Sequence, residues 1–586
     1  RSTQSSSSAA SDVYKRQLIF IFLFGHSYIF GQQDWRGNST PTYPELIAHL
    51  QKLDRQNKEI SLFNMGASDY GQPIYLCVIN GDMDSTQTFL KAQNSTTILI
   101  NNAIHPGEPD GINACLIWIE NWIKDGKPTQ NKHGRPLPLI AIIPAYNVGG
   151  MYNRSSTSRA NQNGPEEYGF RGSAKNLDLN RDFTKMDAEN TKTFVKIYQA
   201  LDPDIFIDNH VSNGADYPYT LTYISSNKAR LSPSIKELTY LSCIPYLKEY
   251  SLGGYELFPY VELKGKTPEE GIVAFNDLPR YAMGYASLFN SLCFTVETHM
   301  LKAFAERVGA TLQFIESTVA YAMENATAIE NARKEAKLWA KDQTFFKFNL
   351  KLDDQSMDSI YFKGYTPIYP IHPITGLAQL EYDRTQPYEK YIPYYNRYYP
   401  ADSVEIPPYY IVAGQEKRII EFLKLNGIAF QVIDSFYRQK VTCTYVKDFK
   451  APPRPYEGHF KLSQIEVEYA VKEIELKPGD ILIPTAQDGA LFLHAVLQPL
   501  AEDSYLSWNY FDSYLQQKEY FSNYVFKENI AEILENNPLL NVQYEERKKL
   551  DIQFAQSEWE QLFFIYKHSP YFEQTFMRLP VYQVFN

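Results

Sequence analysis

The 586-residue sequence is poor in cysteine, with five residues in all and no Cys-x-x-Cys pair. Paired spacings are what disulfide frameworks, thiolate zinc sites and redox motifs use, so the sequence supports none of the three. The odd count leaves at least one thiol outside any intramolecular pairing. Cys115 and Cys293 stand inside apolar stretches, and we predict that both are buried like small hydrophobic residues.

Positive charge is also scarce. The chain has 57 Lys and Arg against 68 Asp and Glu, which gives a net charge of −11 at pH 7. Because binding to nucleic-acid phosphates requires a basic surface, this balance argues against nucleic acid as a partner. The sequence has neither a Gly-x-Ser-x-Gly motif nor a phosphate-binding glycine loop, so it indicates no serine-hydrolase elbow and no nucleotide loop.

Apolar runs long enough to span a membrane are absent too. Leu18–Phe30 is too short to cross a bilayer but fits the hydrophobic region of a signal peptide, with Gly31 near a plausible cleavage point. We therefore predict a signal peptide over 18–32, export from a bacterial cell to the periplasm or the medium, and a mature chain without a membrane span. A buried N-terminal strand is the alternative. Residues 1–17 resemble translated cloning sequence and are interpreted as a non-native leader.

The residues that are abundant indicate a globular protein with large cores. Hydrophobic residues make up 44% and charged residues 21% of the chain, which includes 45 Tyr and 35 Phe. The length predicts two or three domains. Between Asp34 and His299, buried strands alternate with helices, and this order predicts an α/β fold with a mixed, mostly parallel central sheet covered by helices on both faces.

The stretch around His105 combines a strand, a polar loop and a helix. Residues 96–100 are β-branched or apolar and predict a buried strand, while Asp110–Lys124 has its apolar residues at helical spacing. His105 and Glu108 therefore fall in the loop at the carboxyl end of the strand, where open α/β sheets bind their ligands. An imidazole and a carboxylate three residues apart can hold one Zn²⁺ together with a third ligand and a water.

Two later strands end on side chains of the same chemistry. The strand over 204–210 ends on His210, and the strand Leu292–His299 carries Glu297 near its end. The Asn-, Ser- and Gly-rich segment 146–183 is long for a loop in a compact domain, and such loops are usually functional. Singly, each side chain has an ordinary explanation, such as a core histidine or a structural ion pair. Their shared position at strand ends favours a metal site.

With these residues in place, the sequence resembles the zinc carboxypeptidase family, the carboxypeptidase A-like metallopeptidases. Four short motifs occur in the family's order: His105-Pro-Gly-Glu108, Asn176-Leu-Asp178-Leu-Asn180-Arg181, Asp208-Asn-His210 and Thr295-Val-Glu297-Thr-His. The resemblance covers residues 40–305 and implies a catalytic domain, which we place at 33–345. The runs Phe511-Asp-Ser-Tyr-Leu and Lys518-Glu-Tyr-Phe resemble the C-terminal extension of bacterial exported relatives, and residues 346–586 are predicted to form a smaller α/β accessory domain.

The resemblance implies how the metal and the base are arranged. One Zn²⁺ per chain would be bound by His105, Glu108 and His210, with a water in the open position. Glu297 would be the general base that takes a proton from this water. Asp178 would accept the second ring N–H of a bound histidine, which we predict to be that of His105.

The resemblance also implies the substrate contacts. Asn180 and Arg181 would bind the terminal carboxylate of the substrate, for which a planar guanidinium is well suited. Arg159 is our choice for stabilising the oxyanion of the tetrahedral intermediate. Because the loop between Arg159 and Asn180 is longer than in the family's digestive enzymes, Arg154 or Arg171 could take that role instead.

Two further family features have no single assignment. The tyrosine that covers the substrate has two candidates, Tyr281 and Tyr285, on proximity to the fourth motif alone. The stretch Phe275–Leu288 is expected to line the specificity pocket, but it holds both Asp277 and Arg280 and gives no clear preference.

The C-terminal third contains fewer signals. We predict a long helix over Thr311–Lys341, a Pro- and Tyr-rich connector over Tyr388–Tyr410, and a strand–helix–strand unit over Tyr409–Asp434. The function of this extension is not implied by the resemblance.

We therefore predict a metallocarboxypeptidase, a secreted or periplasmic peptide hydrolase whose substrate is the C-terminus of a peptide or protein. One alternative is a zinc amidase that cuts peptidoglycan stems or other modified peptides. Another is a catalytically inactive peptide-binding protein on the same fold. The sequence favours no oligomeric state.

Overall fold

The computed structural model describes residues 36–83, 89–90 and 95–585. The interpreted leader (1–17) and the predicted signal peptide (18–32) lie outside these residues. In the described part of the chain, no helix has both the length and the hydrophobicity that crossing a membrane requires.

The described residues up to Lys341 alternate between strands and helices. The strands are β1 (Ile60–Ala67), β2 (Pro73–Ile79), β3 (Asp82–Met83), β4 (Phe89–Leu90), β5 (Thr97–Asn101), β6 (Leu139–Ile143), β7 (Ile205–Ser212), β8 (Leu221–Ser225), β9 (Leu257–Pro259), β10 (Glu262–Leu263), β11 (Ile272–Val273) and β12 (Leu292–His299). The helices are α1 (Tyr43–Gln56), α2 (Asp110–Lys124), α3 (Val148–Tyr152), α4 (Glu189–Leu201), α5 (Pro233–Glu237), α6 (Ile244–Tyr250), α7 (Ala282–Ser287) and α8 (Phe304–Lys341).

An eight-stranded sheet forms the centre of this part, in the order β1-β2-β6-β5-β7-β12-β8-β9. Its four middle strands, β6, β5, β7 and β12, run parallel, and β8 joins β12 antiparallel. Every residue of β5, β6 and β7 is buried, as is typical of strands that helices cover on both faces. The predicted α/β fold with a mixed, mostly parallel central sheet is confirmed.

The predicted helix over Thr311–Lys341 starts too late in the sequence. The helix α8 begins at Phe304, and Phe304 and Val308 in its first turns are buried. Arg307 is buried between them, where its Nε donates to Asp110 Oδ2 at 3.0 Å. A charged residue on the inner face hides the apolar spacing of this turn, which explains the difference of seven residues.

The C-terminal part is built mainly from antiparallel strands. These are β13 (Phe345–Leu352), β14 (Asp358–Ile368), β15 (Glu381–Tyr395), β16 (Tyr398–Glu405), β17 (Tyr409–Val412), β18 (Gln431–Val432), β19 (Tyr437–Lys450), β20 (Ser463–Leu476), β21 (Ile481–Pro484) and β22 (Arg578–Val584). The helices are α9 (Lys417–Leu425), α10 (Ala490–Leu497), α11 (Asn523–Asn536), α12 (Pro538–Leu550), α13 (Ile552–Gln556) and α14 (Glu558–Lys567).

Two sheets organise this part. A six-stranded sheet has the order β18-β21-β17-β22-β19-β20, and its neighbouring strands are antiparallel. A four-stranded sheet, β10-β11-β15-β14, joins strands from both sides of residue 345. The extra C-terminal sheet unit was predicted, while the domain boundary at 345 stays a prediction.

The predicted connector over Tyr388–Tyr410 is wrong, because β15 and β16 cover most of it. Proline is tolerated here because β15 lies at a sheet edge over most of its length: it pairs with β14 along one side and with β11 through Tyr394 and Tyr395 alone. Its tyrosines favour extended structure. Pro393 therefore lies within a strand, whereas the Pro407-Pro408 pair falls in the short connection between β16 and β17.

All five cysteines are buried free thiols, in agreement with the absence of a disulfide framework from the sequence. Cys115 lies in α2 and Cys293 in β12, both at 3% exposure or less, as predicted for small hydrophobic residues.

Candidate active site

Two strands of the central sheet position the candidate metal ligands, and a third positions Glu297. The loop after β5 carries His105 and Glu108, and β7 carries His210. Because β5 and β7 are parallel neighbours, their carboxyl ends lie at the same edge of the sheet. Glu297 on β12 pairs in register with His210, so it reaches this edge as well.

The three candidate ligands form one compact donor set. Atoms of His105, Glu108 and His210 lie within 4.8 Å of one another, and all three residues are buried. His210 Nδ1 is 3.0 Å from Glu108 Oε2, and His105 Nδ1 is 3.3 Å from Glu108 Oε1. Two imidazoles and a carboxylate are a usual ligand set of catalytic zinc.

Both histidines are oriented by an aspartate on the opposite ring nitrogen. His105 Nε2 is 2.9 Å from Asp178 Oδ1, and His210 Nε2 is 2.8 Å from Asp208 Oδ2. The pairs hold both Nδ1 atoms toward Glu108, as outer-shell carboxylates do for zinc-bound histidines. His105 Nδ1 is buried, and apart from its 3.3 Å approach to Glu108 Oε1 it has no hydrogen-bond partner among the described residues. The arrangement therefore fits a metal ion between the two rings.

Local charges keep the carboxylates of the site ionised. Burial would raise the pKa of Glu108, but Arg159 and His105 outweigh it and hold this pKa well below its usual range. Burial likewise opposes ionisation of Asp178, and the charge and hydrogen bond of His105 together with Arg171 lower its pKa. Ionised carboxylates are the forms that bind a metal or orient its ligands.

Glu297 differs from the other acids of the site. Burial, together with the nearby charge of Glu108, raises the pKa of its carboxyl to about 8, against the lowering effect of His210. A carboxyl whose pKa lies near neutrality is matched to taking up and returning a proton.

The three arginines that the sequence offers for the oxyanion role divide into two groups. Arg159 donates to Glu108 Oε1 and to the carbonyl of Val211, and Arg171 lies 3.4 Å from Glu108 Oε1. Both line the cavity beside the donor set. Arg154 instead donates to the backbone carbonyls of residues 40, 41 and 167, outside that cavity. The structure thus leaves Arg159 and Arg171 near the reacting centre.

Asn180 and Arg181 lie together in a 3₁₀ turn on one wall of the cavity. The Asn180 side-chain oxygen accepts from the backbone N–H of Ala282 at 2.9 Å, which turns its NH₂ group toward other acceptors. The guanidinium carbon of Arg181 lies 4.6 Å from the centre of the Tyr281 ring. This stacking, which sequence reasoning missed, fixes the plane of the guanidinium.

Of the two candidate tyrosines, only Tyr281 borders the cavity. Tyr285 is fully buried, and its hydroxyl donates to Asn426 Oδ1 at 2.8 Å. Its position in the core removes it from contact with a substrate.

Part of the cavity lining is uncharged. Ile224, Phe275, Met283 and Thr295 belong to this part, and the cavity has a volume of about 230 Å³. Asp277 does not border this cavity: its side chain is buried and accepts a hydrogen bond from the backbone N–H of Asn227 at 3.0 Å.

The second charged residue of the predicted pocket stretch, Arg280, also points away from the cavity. Its Nε lies 2.9 Å from Asp503 Oδ1, and its terminal nitrogen lies 2.9 Å from Glu502 Oε1. The two charges that made the sequence pattern ambiguous therefore do not line the pocket.

Comparison with known protein families gives one match that covers more than half of the chain. The family model described as zinc carboxypeptidase matches residues 46–367. The chain belongs to the zinc carboxypeptidase family. The matched range contains every site residue that the sequence predicts.

Individual relatives of this zinc carboxypeptidase are distant. Carboxypeptidase 2 of Trichophyton rubrum is 20% identical over 491 residues, which cover 80% of this chain and 84% of the relative. Carboxypeptidase A from Helicoverpa armigera is 15% identical, with 50% and 76% of the two chains covered and a TM-score of 0.36. A metallo-carboxypeptidase from Burkholderia cenocepacia is 16% identical, with 47% and 68% covered and a TM-score of 0.34.

Family membership makes the protein a metallocarboxypeptidase, and the family is zinc-dependent. The described residues of this zinc carboxypeptidase offer a His-Glu-His group that could hold the ion. The individual roles assigned from the sequence stay predictions. The third sequence motif contains Asp208 but predicts no role for it, although Asp208 stands two positions before His210 on the same strand.

Proposed function

We propose that this enzyme removes residues from the C-terminus of peptides with zinc held by His105, Glu108 and His210. The observation that carries the proposal is a single cavity in which this donor set faces the stacked guanidinium of Arg181. An exopeptidase needs both: a metal at the scissile bond and a cation for the free carboxylate one residue away.

The side chains around the donor set have distinct tasks in this proposal. Zinc bound by these residues would lower the pKa of a bound water and polarise the substrate carbonyl. Glu297 takes a proton from the attacking water and later gives it to the leaving amine. Arg159 lies closer to Glu108 than Arg171 does, so we assign the stabilisation of the oxyanion to Arg159, as predicted from the sequence.

The uncharged part of the cavity lining indicates which substrate side chains the enzyme accepts. Ile224, Phe275 and Met283 border the cavity, and neither Asp277 nor Arg280 does. A buried charge without a partner is costly, so a substrate ending in Lys, Arg, Asp or Glu would lose free energy on entering. We propose a preference for apolar or aromatic C-terminal residues.

The same proposal places the enzyme outside the cytoplasm. The support for export is Leu18–Phe30, an apolar stretch of signal-peptide character.

Metal content combined with a product scan tests the proposal. The chain from Gln33 onward is purified, its zinc is counted, and a mixed peptide library is followed by mass spectrometry. We expect about one zinc per chain and stepwise loss of apolar C-terminal residues. Zinc without cleavage of ordinary peptides would support the amidase alternative, to be tested on peptidoglycan stems. Absence of zinc after supplementation would support a binding protein.

Replacing Arg181 by alanine is expected to raise KM for peptides with a free C-terminal carboxylate by about 10- to 100-fold, the range for a charge-assisted hydrogen bond. Peptides with an amidated C-terminus lack the charge and should change little. Steady-state kinetics on matched free and amidated peptides measure the difference. Arg397→Ala is the control, because Arg397 is exposed and pairs with Asp358 outside the cavity. Equal effects on both peptide series would remove Arg181 from carboxylate binding.

A further inference from the structure

A turn of the C-terminal part lies against the wall of the active site. Backbone hydrogen bonds in both directions between Tyr456 and His459, at 2.7 and 3.1 Å, close this turn. From the turn, Glu457 Oε2 accepts the backbone N–H of Asp178 at 2.8 Å. The contact joins residues 279 positions apart. We call residues 456–459 the bracing turn.

The side chain of Asp178 connects a candidate metal ligand with the turn that carries Arg181. Its Oδ1 accepts from His105 Nε2 and from the backbone N–H of Asn180, each at 2.9 Å. Its Oδ2 accepts from Arg171 Nε at 3.0 Å. These contacts use the side chain, whereas Glu457 holds the backbone N–H. A displacement of the Asp178 backbone would therefore move a candidate metal ligand and the 3₁₀ turn of Arg181 together.

The bracing turn makes a second contact beyond Arg181. His459 Nε2 is 2.7 Å from Asp187 Oδ2, and Asp187 also accepts from Lys185 Nζ at 2.9 Å. The two anchor points, at Asp178 and Asp187, lie on either side of the carboxylate-binding residues. The turn thus fixes both ends of the segment that carries them.

The bracing turn packs against a buried tryptophan. The Tyr456 ring stacks on the ring of Trp508, with centres 6.2 Å apart and planes 20° apart. Trp508 is fully buried, and its indole N–H donates to Asp503 Oδ1 at 3.2 Å. Glu457 therefore reaches Asp178 from a fixed position.

Glu457 adopts a backbone conformation that its residue type disfavours. Its φ is +49°, in the left-handed region, where glycine and asparagine occur with less strain. Neither glycine nor the shorter asparagine side chain offers the reach of a glutamate. A glutamate at this position is explained by the contact that its carboxylate makes.

We propose that Glu457 is a positioning residue of the active site, through which the C-terminal part holds Asp178 and, by way of it, His105 and the Asn180–Arg181 turn. The predicted effect on substrate binding rests on the proposed function. The predicted effect on metal binding rests only on the donor set. The C-terminal part is then a component of the catalytic centre and not only an accessory unit.

The test compares Glu457→Ala with Glu457→Gln in the full chain. Loss of the acceptor is expected to weaken zinc binding about fivefold, less than the 10- to 100-fold reported for direct partners of metal ligands, because Glu457 acts one contact further out. KM for peptides with a free carboxylate should rise by a similar factor, about fivefold, with a smaller change in kcat. Glutamine retains an oxygen acceptor and should restore both values to within about twofold of the wild type.

Zinc affinity is measured by competition with a chromophoric chelator, which requires no catalysis. Zinc affinity therefore tests the role of Glu457 even if the wild type cleaves no peptide. Failure of the proposed function would appear as absence of cleavage by the wild type, which is a separate result. Should Glu457→Ala fold poorly, Glu457→Asn replaces it, since asparagine tolerates the left-handed backbone but is too short for the contact.

Glu573→Ala is the matched control. Glu573 is a partly buried glutamate of the same C-terminal part, and its Oε1 accepts the backbone N–H of Lys518 at 2.5 Å, away from the cavity. The Glu573→Ala variant should leave zinc affinity and KM unchanged, even if its unfolding temperature falls. Wild-type zinc affinity and KM in both Glu457→Ala and Glu457→Asn would overturn the proposal. Equal impairment of Glu457→Gln and Glu457→Ala would also overturn it, because the hydrogen bond would then not be what acts.

Discussion

Glu297→Gln is expected to keep one zinc per chain and to lower kcat by about 10²- to 10⁴-fold, the range for loss of a general base. Glu297 borders the cavity but is not one of the three donors that lie within 4.8 Å of one another. The replacement therefore removes no ligand. Glutamine has nearly the shape of glutamate but cannot take up a proton, so the attacking water loses its acceptor. Kinetics and zinc content on one sample measure both effects.

Two further variants make this prediction specific. Glu297→Asp keeps the carboxylate but draws it back by about one methylene, and a misplacement of about 1 Å is expected to cost about 10²-fold. Glu262→Gln is the control, because Glu262 is an exposed glutamate of β10 outside the cavity. Turnover at the wild-type rate in Glu297→Gln would show that another group is the base.

The sequence located the candidate ligands because their positions follow from the topology. His105, His210 and Glu297 each stand at or near the carboxyl end of a strand, and parallel neighbours bring those ends to one edge. No side-chain geometry was needed for that step. Asp208 could have been found by the same reasoning: side chains alternate along a strand, so a residue two positions before His210 faces the same side.

Other parts of the site depend on contacts that no local pattern encodes. Asp277 and Arg280 made the pocket stretch ambiguous, and only their buried partners show that both face away from the cavity. The 146–183 segment has no periodicity that would separate Arg154 from Arg159. The error over β15 has the same origin, since pairing at a sheet edge decides whether proline ends a strand.

His210→Ala is expected to abolish zinc retention during dialysis and, with it, peptidase activity. His210 supplies one of three protein donors, and the remaining two leave an incomplete set. A metal that binds only the folded state stabilises the protein. This stabilisation grows with the logarithm of the ratio of the free zinc concentration to the Kd for zinc. The wild type should therefore show an unfolding temperature that rises with added zinc and falls with chelator. The variant should show neither change.

The comparison with Asp208→Asn separates a ligand from the residue that orients it. Asp208 accepts from His210 Nε2 at 2.8 Å, so its replacement should weaken zinc binding about 10- to 100-fold without abolishing it. His133→Ala, at an exposed histidine outside the cavity, should retain the zinc-dependent rise in unfolding temperature. Retention of one zinc and of full activity in His210→Ala would place the metal elsewhere. An Asp208→Asn variant as defective as His210→Ala would instead mean that the orientation of the ring, and not merely its presence, decides whether the metal binds.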